Sequence, residues 1–261
     1  MELLNFSTDQ FKVFLLILIR ISVVLYLFPV FSSNMITGPV KAGISLAMTL
    51  ALFPVVKVNP ELFPGNIPEL LIIGVSELFV GMVLAFAIRI FLSTVELAGQ
   101  LIGFQMGFAI INVLDPQTGS QVDVIGQIGS LVLLTIFLLL NGHHILIEGL
   151  IESFRIVEIG RISLHKELLF QVLSQVSDMF VLAVKMGAPA IVALLFTNAG
   201  FGIAAKFVPQ MNILMAAFPV QITVGLAFFG LLLPVLSVMA RTYLLQLPPL
   251  ITTLLRLMTQ G

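Results

Sequence analysis

The sequence predicts an all-α integral membrane protein, and three observations predict it. Hydrophobic residues make up 59% of the 261 and charged residues only 10%, with a mean hydropathy of +1.16. A soluble domain carries about 25% charged residues. The apolar residues fall in runs near the roughly 20 residues that a helix needs to cross a bilayer. Between the runs stand clusters of proline, glycine and polar residues, the usual local stops of a helix.

Taken in order, the first apolar segment covers residues 11 to 31 and closes at Pro29 and the polar Ser32-Ser33-Asn34. Glu2 and Asp9 precede it and Arg20 interrupts it, whereas a cleaved signal opens on positive charge. The first helix is therefore expected to be retained. A short second segment covers residues 39 to 56, followed by a loop marked by Pro60, Pro64, Gly65 and Pro68. The third covers 69 to 92 and contains Glu77 and Arg89, and the fourth covers 95 to 114. The fifth, 125 to 151, includes the uncharged stretch LVLLTIFLLL from Leu131 to Leu140. Residues 152 to 178 are hydrophilic, and their interleaved apolar residues predict short amphipathic helices at a surface. The sixth (179 to 207) contains Pro189, Asn198, Gly200 and Gly202, and the seventh (213 to 240) Pro219 and Pro234. Pro248-Pro249 break the tail. The reading is thus of six or seven apolar segments in one domain, residues 1–261. Segments so punctuated survive at membrane depth only when buried in protein or lining a wet cavity. In an alternating six-span arrangement Lys12, Lys57, Arg155, Arg161 and Lys166 share a side, against Lys41, Arg89 and Lys206. That distribution favours a cytoplasmic N-terminus.

Within this scaffold residues 96 to 129 stand apart. Gly99, Gly103 and Gly107 recur every fourth residue, a small-xxx-small ladder on one helix face that admits another backbone. Glu96, Gln100 and Gln105 lie among them, and Asp115-Pro116 with Thr118-Gly119-Ser120 then force a turn. A close-packed helix thus delivers a polar loop. Phe104, Met106 and Phe108 flank the glycines. Each alone reads as core; as a set they suit a deformable seal, since methionine closes irregular gaps and an apolar ring excludes water.

Glu77, Glu96, Lys185 and Lys206, together with Gln105, are the expected buried polar contacts, because charges within apolar helices mark a partner or a pathway. Arg89 and Lys206 lie near segment ends, where snorkelling competes. Glu77, in mid-segment, is the strongest of the set. His143-His144 with Glu148 and Glu152 forms no metal site on paper: adjacent helical residues diverge by about 100°, and no third ligand follows. Absence of cysteine removes thiol chemistry and thiolate ligation. With no phosphate-binding loop and no nucleophile elbow, nucleotide hydrolysis and serine chemistry are not expected, and no cofactor is implied. A net charge of −1 argues against a nucleic-acid partner.

Two motif groups carry a resemblance. Glu96, Gly103-Phe104-Gln105-Met106-Gly107, Asp115-Pro116 and Asn141-Gly142-His143 form the first. Asn198, Lys206, Pro209-Gln210-Met211-Asn212-Ile213 and Phe218-Pro219 form the second. In this order, over nearly the whole chain, they resemble the FliR family of type III secretion export-gate components, which includes injectisome counterparts. The closeness of the motifs leans toward the flagellar branch. The resemblance implies a non-enzymatic subunit of kinked helical hairpins, present once in a helical core with several copies of FliP and FliQ. It further implies contact with FlhB, proximity to FlhA, and exported flagellar proteins as substrates. The place would be the bacterial inner membrane at the flagellar basal body, the core displaced toward the periplasm. The family's plug would correspond to residues 108–124, giving Phe104, Met106, Phe108, Ile110, Ile111, Asp115 and Pro116 as seal and plug residues and Gly99, Gly103 and Gly107 as helix packing. Relatives often carry an aromatic nearer the Asp-Pro, where this chain has Ile110 and Ile111. They also often carry glycine and arginine where this chain has Ala217 and Lys206. The competing reading is an ion-coupled secondary transporter, which would use a broken helix such as the one around Met186 to Gly202.

Overall fold

Seven α-helices account for the regular structure of the described residues, which are 8–28, 31, 36–56, 66–108, 123–163, 165–210 and 212–259 of a computed structural model. They are α1 (Thr8–Leu27), α2 (Gly38–Leu52), α3 (Ile67–Gln105), α4 (Val124–Leu139), α5 (Gly142–Ile156), α6 (Lys166–Phe207) and α7 (Ile213–Leu257). No strand occurs among the described residues. The all-α membrane class is thereby met: four helices (α1, α3, α6 and α7) are long and apolar enough to cross a membrane. The α4–α5 pair, bent by 72°, counts as a fifth if taken as one broken span.

The boundaries differ from those read in the sequence, and the physical reasons are local. The third and fourth apolar segments are one helix, α3, of 39 residues. The polar residues around 93 to 96 do not stop it, because a helix satisfies its own backbone and the Thr94 hydroxyl donates back to the Ile90 carbonyl at 2.9 Å. Instead of short amphipathic helices throughout 152 to 178, α5 ends at Ile156 and α6 starts at Lys166 and runs for 42 residues. α6 contains Pro189, and α7 runs 45 residues through Pro219, Pro234, Pro248 and Pro249. In apolar surroundings, leaving the helix would strip more backbone groups of partners than one proline does. The fifth segment breaks at Asn141, whose φ of 58° is left-handed. At 1.5 Å per residue, α3, α6 and α7 measure about 58, 63 and 67 Å if straight, against a hydrocarbon core of about 30 Å.

The chain divides into two units. Unit 1 gathers Met1–Arg89, Asn141–Ser174 and Leu244–Gly261. There α1 packs on α2, with the Phe14 and Phe53 rings edge to face at 6.0 Å. Leu16, Ile17 and Ile21 of α1 are fully buried. Gly81 of α3 passes so close to α1 that a Cβ would stand 3.1 Å from the Arg20 carbonyl oxygen. The Ser163 amide donates to the Met258 carbonyl at 2.7 Å, tying the α5–α6 connection to the end of α7.

Unit 2 gathers Ile90–Leu140 and Gln175–Tyr243. Its core joins Phe91, Val95, Leu133, Ala183 and Leu236, and continues through Ile102, Met106, Ile125, Leu194 and Phe229. Phe91 and Tyr243 stack at 4.1 Å, 6° from parallel.

Candidate functional site

The end of α3 is built by a reciprocal set of turns and close contacts within unit 2. Gly107 follows the last helical residues with φ +89°, a conformation costly to any residue bearing a Cβ. Its amide donates to the Phe104 carbonyl at 3.1 Å, and the Phe108 amide donates to the Gly103 carbonyl at 3.2 Å. This pair of bonds is the Schellman termination, which normally carries an apolar contact between the two outer residues. Here the Phe108 ring lies over Gly103, 3.8 Å from where a Cβ would stand. Gly107 is thus not the third rung of a helix-face ladder, as its spacing suggests, but the residue that ends the helix.

A second glycine contact fixes the start of α4. Asp123 caps that helix by accepting the Gly126 amide at 2.8 Å. Gly126 in turn lies against Gly99 of α3, where a Cβ would fall 2.5 Å from the Gly126 nitrogen and closer still to its Cα. Of the expected ladder, Gly99 is the position where backbone meets backbone; Gly103 has only side chains at ordinary contact distance. Residues 109–122, which join Phe108 to Asp123, lie outside the described residues, and Ile110, Ile111, Asp115 and Pro116 lie with them.

α7 and α6 close around this exit. A Cβ on Gly107 would stand 2.5 Å from Phe218 Cε1 and 3.4 Å from Gln221 Oε1. Gln221 Nε2 donates to Asn198 Oδ1 of α6. Met106 is fully buried against Gly225, where a Cβ would meet its sulfur at 2.5 Å. So Met106, expected at the seal, is a core anchor: it is the residue at the helix end that turns inward. Phe104 is the opposite, 68% exposed, while Phe108 is half-buried.

Unit 1 holds the second polar construction. Arg20 of α1 is fully buried, and its Nε donates to Glu77 Oε2 of α3 at 2.6 Å. Nη1 donates to the Ser153 carbonyl at 2.9 Å and, with Nη2, to the Val157 carbonyl at 3.3 and 3.2 Å. The guanidinium also lies 4.3 Å from the Phe154 ring centroid. Glu77 Oε1 accepts the Gly160 amide at 3.2 Å. One guanidinium therefore binds the carbonyls at the end of α5, where the helix dipole is negative, while its counter-ion holds the next turn. In the sequence Arg20 shows only as an interruption of an apolar run. The signal that would have found it is an opposite charge in the middle of another apolar run, Glu77.

The remaining expected contacts are more exposed. Glu96 and Gln105 are half-buried. Lys185 and Lys206 are exposed rather than buried. The His143 and His144 rings lie 4.3 Å apart, centroid to centroid. Among the described residues no three His, Asp or Glu side chains gather to hold a metal.

Comparison with known proteins agrees over nearly the full length. A family described as bacterial export proteins, family 1, matches residues 11–247. The chain is similar to the flagellar biosynthetic protein FliR of Bacillus subtilis (strain 168), 30% identical over 242 residues that cover 91% of this chain and 92% of that one. It is 27% identical to the FliR of Escherichia coli (strain K12) over 84% of each chain. It is also 24% identical to the Yop proteins translocation protein T of Yersinia pestis, over 79% of this chain and 80% of that one. A match of this extent, on a chain whose apolar helices fit a membrane protein, shows that the protein belongs to the bacterial export proteins, family 1, together with the FliR proteins.

Proposed function

We propose that this chain is a structural and gating subunit of the flagellar type III protein export channel, without catalysis of its own. Family membership and the names of the relatives support the export role. The observation that carries the gating role is the build of the α3 exit: Phe104 stands 68% exposed beside a helix end pinned by Gly107, Phe218 and Met106. A rigid anchor with an outward aromatic is what a seal requires, and residues 108–124 would form the plug, with Ile110, Ile111, Asp115 and Pro116 in it. The whole chain acts as one export-gate subunit. Its partners in this reading are FliP, FliQ, FlhB and FlhA, its substrates exported flagellar proteins, and its place the bacterial inner membrane at the flagellar basal body. The exposed apolar faces of α6 and α7, with Lys185 and Lys206 on α6, suit burial against such partners.

The transporter reading is not favoured. It needs Glu77 or Lys185 to carry an ion at a buried site, but Glu77 is engaged by Arg20 and Gly160, and Lys185 is exposed.

Deleting residues 113–121 tests the proposal. The variant should still co-purify with FliP-like and FliQ-like proteins and should let small ions leak through the membrane. Loss of the complex with no leak would sink the plug.

A further inference from the structure

We infer that a cleft between α3 and the start of α6, in unit 1, binds an anionic phospholipid. Phe79, Met82, Val83 and Phe86 form one stripe of α3, at the spacing that places residues on a single helix face. Leu168, Leu169 and Val172 of α6 face them across a cleft of about 530 Å³. Lined almost wholly by apolar side chains, this cleft has one polar end, formed by His165 and Lys166. Lys166 is also the first residue of α6, where the helix end carries partial positive charge. Glu167 follows it but does not line the cleft.

The occupant must match two chemistries at once. It must be apolar along the stripe from Phe79 to Phe86, about 10 Å of helix, and negatively charged at one end. An acyl chain is narrow enough, and a phosphate headgroup supplies the charge. The position agrees: the α6 wall of the cleft lies within the hydrophilic stretch from 152 to 178, as a headgroup requires, and the α3 wall lies in an apolar run. Met82 and Leu169, at 47% and 59% exposure, form its rim and leave it open to a lipid entering from the side.

The test uses the full chain in nanodiscs of mixed phosphatidylglycerol and phosphatidylcholine, with retained lipid counted by native mass spectrometry. Phosphatidylglycerol should be retained about fivefold over phosphatidylcholine, the worth of one lysine near an anionic headgroup. Lys166→Gln should bring the two lipids close to parity, and Val172→Phe, which fills the cleft, should lower retention of both. Should Val172→Phe fail to fold, Leu169→Cys provides a second measurement, since the chain has no native cysteine to compete for a fluorophore. Phosphatidylglycerol with brominated acyl chains should quench that label more than brominated phosphatidylcholine does. Equal retention by wild type and Val172→Phe, an unchanged headgroup preference in Lys166→Gln, or equal quenching by the two lipids would each overturn the assignment. None of these readouts involves export, so the site and the export role stand or fall separately.

Discussion

Arg20 and Glu77, 57 residues apart in sequence, meet as a fully buried ion pair at 2.6 Å, and the stretch from Ser153 to Gly160 hangs on it. Its value is positional more than energetic, since desolvation offsets much of the attraction in a buried pair. Removing one partner is a different matter. Arg20→Met leaves the Glu77 carboxyl enclosed without its donor, and should destabilise the protein by about 3–5 kcal/mol, read as loss of folded yield or of denaturant resistance. Arg20→Met combined with Glu77→Met should recover a large part of that loss. Exchanging the charges, Arg20→Glu with Glu77→Arg, should not, because the Ser153 and Val157 carbonyls need a donor where glutamate has none.

The Gly99–Gly126 contact separates two glycines that look equivalent in the sequence. Gly99→Ala should sharply reduce folded protein, as its Cβ would meet backbone that cannot move aside. Gly103→Ala should be tolerated, its nearest neighbours standing 3.8 Å away. Folded yield of the two variants in parallel checks this, and equal yields would contradict it.

At Gly107 conformation and space are both restrictive and can be taken apart. Gly107→Ala incurs about 1–2 kcal/mol for the left-handed backbone, plus the collision with Phe218. Pairing it with Phe218→Ala should remove the collision and leave the backbone cost. A double-mutant cycle on thermal stability measures the coupling.

Phe104 and Met106, two residues apart, should fail in opposite ways. Met106→Ala opens a cavity in the unit 2 core and should cost about 2–5 kcal/mol. Phe104→Ala should leave stability nearly unchanged while raising ion leakage if Phe104 seals the channel. Conductance and unfolding curves on both variants distinguish the roles.

How much of this was legible in the sequence depended on whether the signal was local. The all-α class and the presence of the apolar segments needed only composition and run length. Helix ends did not follow, because polar residues such as Thr94 bond within their own helix and look like breaks without being breaks. Gly99 was legible through its spacing. Gly107 shares that spacing, yet its role depends on φ and on Phe218, which arrives from 111 positions further along. Arg20 is hidden for the same reason: its partners lie 57, 133 and 137 residues away, and no local pattern encodes such a meeting.

The division into units cuts α3 between Arg89 and Ile90, α6 between Ser174 and Gln175, and α7 between Tyr243 and Leu244. Each of those cuts falls inside a continuous helix. During biosynthesis, then, neither unit is complete when its first helices emerge from the ribosome. Unit 2 waits for Tyr243, and unit 1 for the Met258 carbonyl that receives Ser163. Both finish only as the last helix enters the membrane, so a nascent chain halted before α7 leaves two unfinished cores at once.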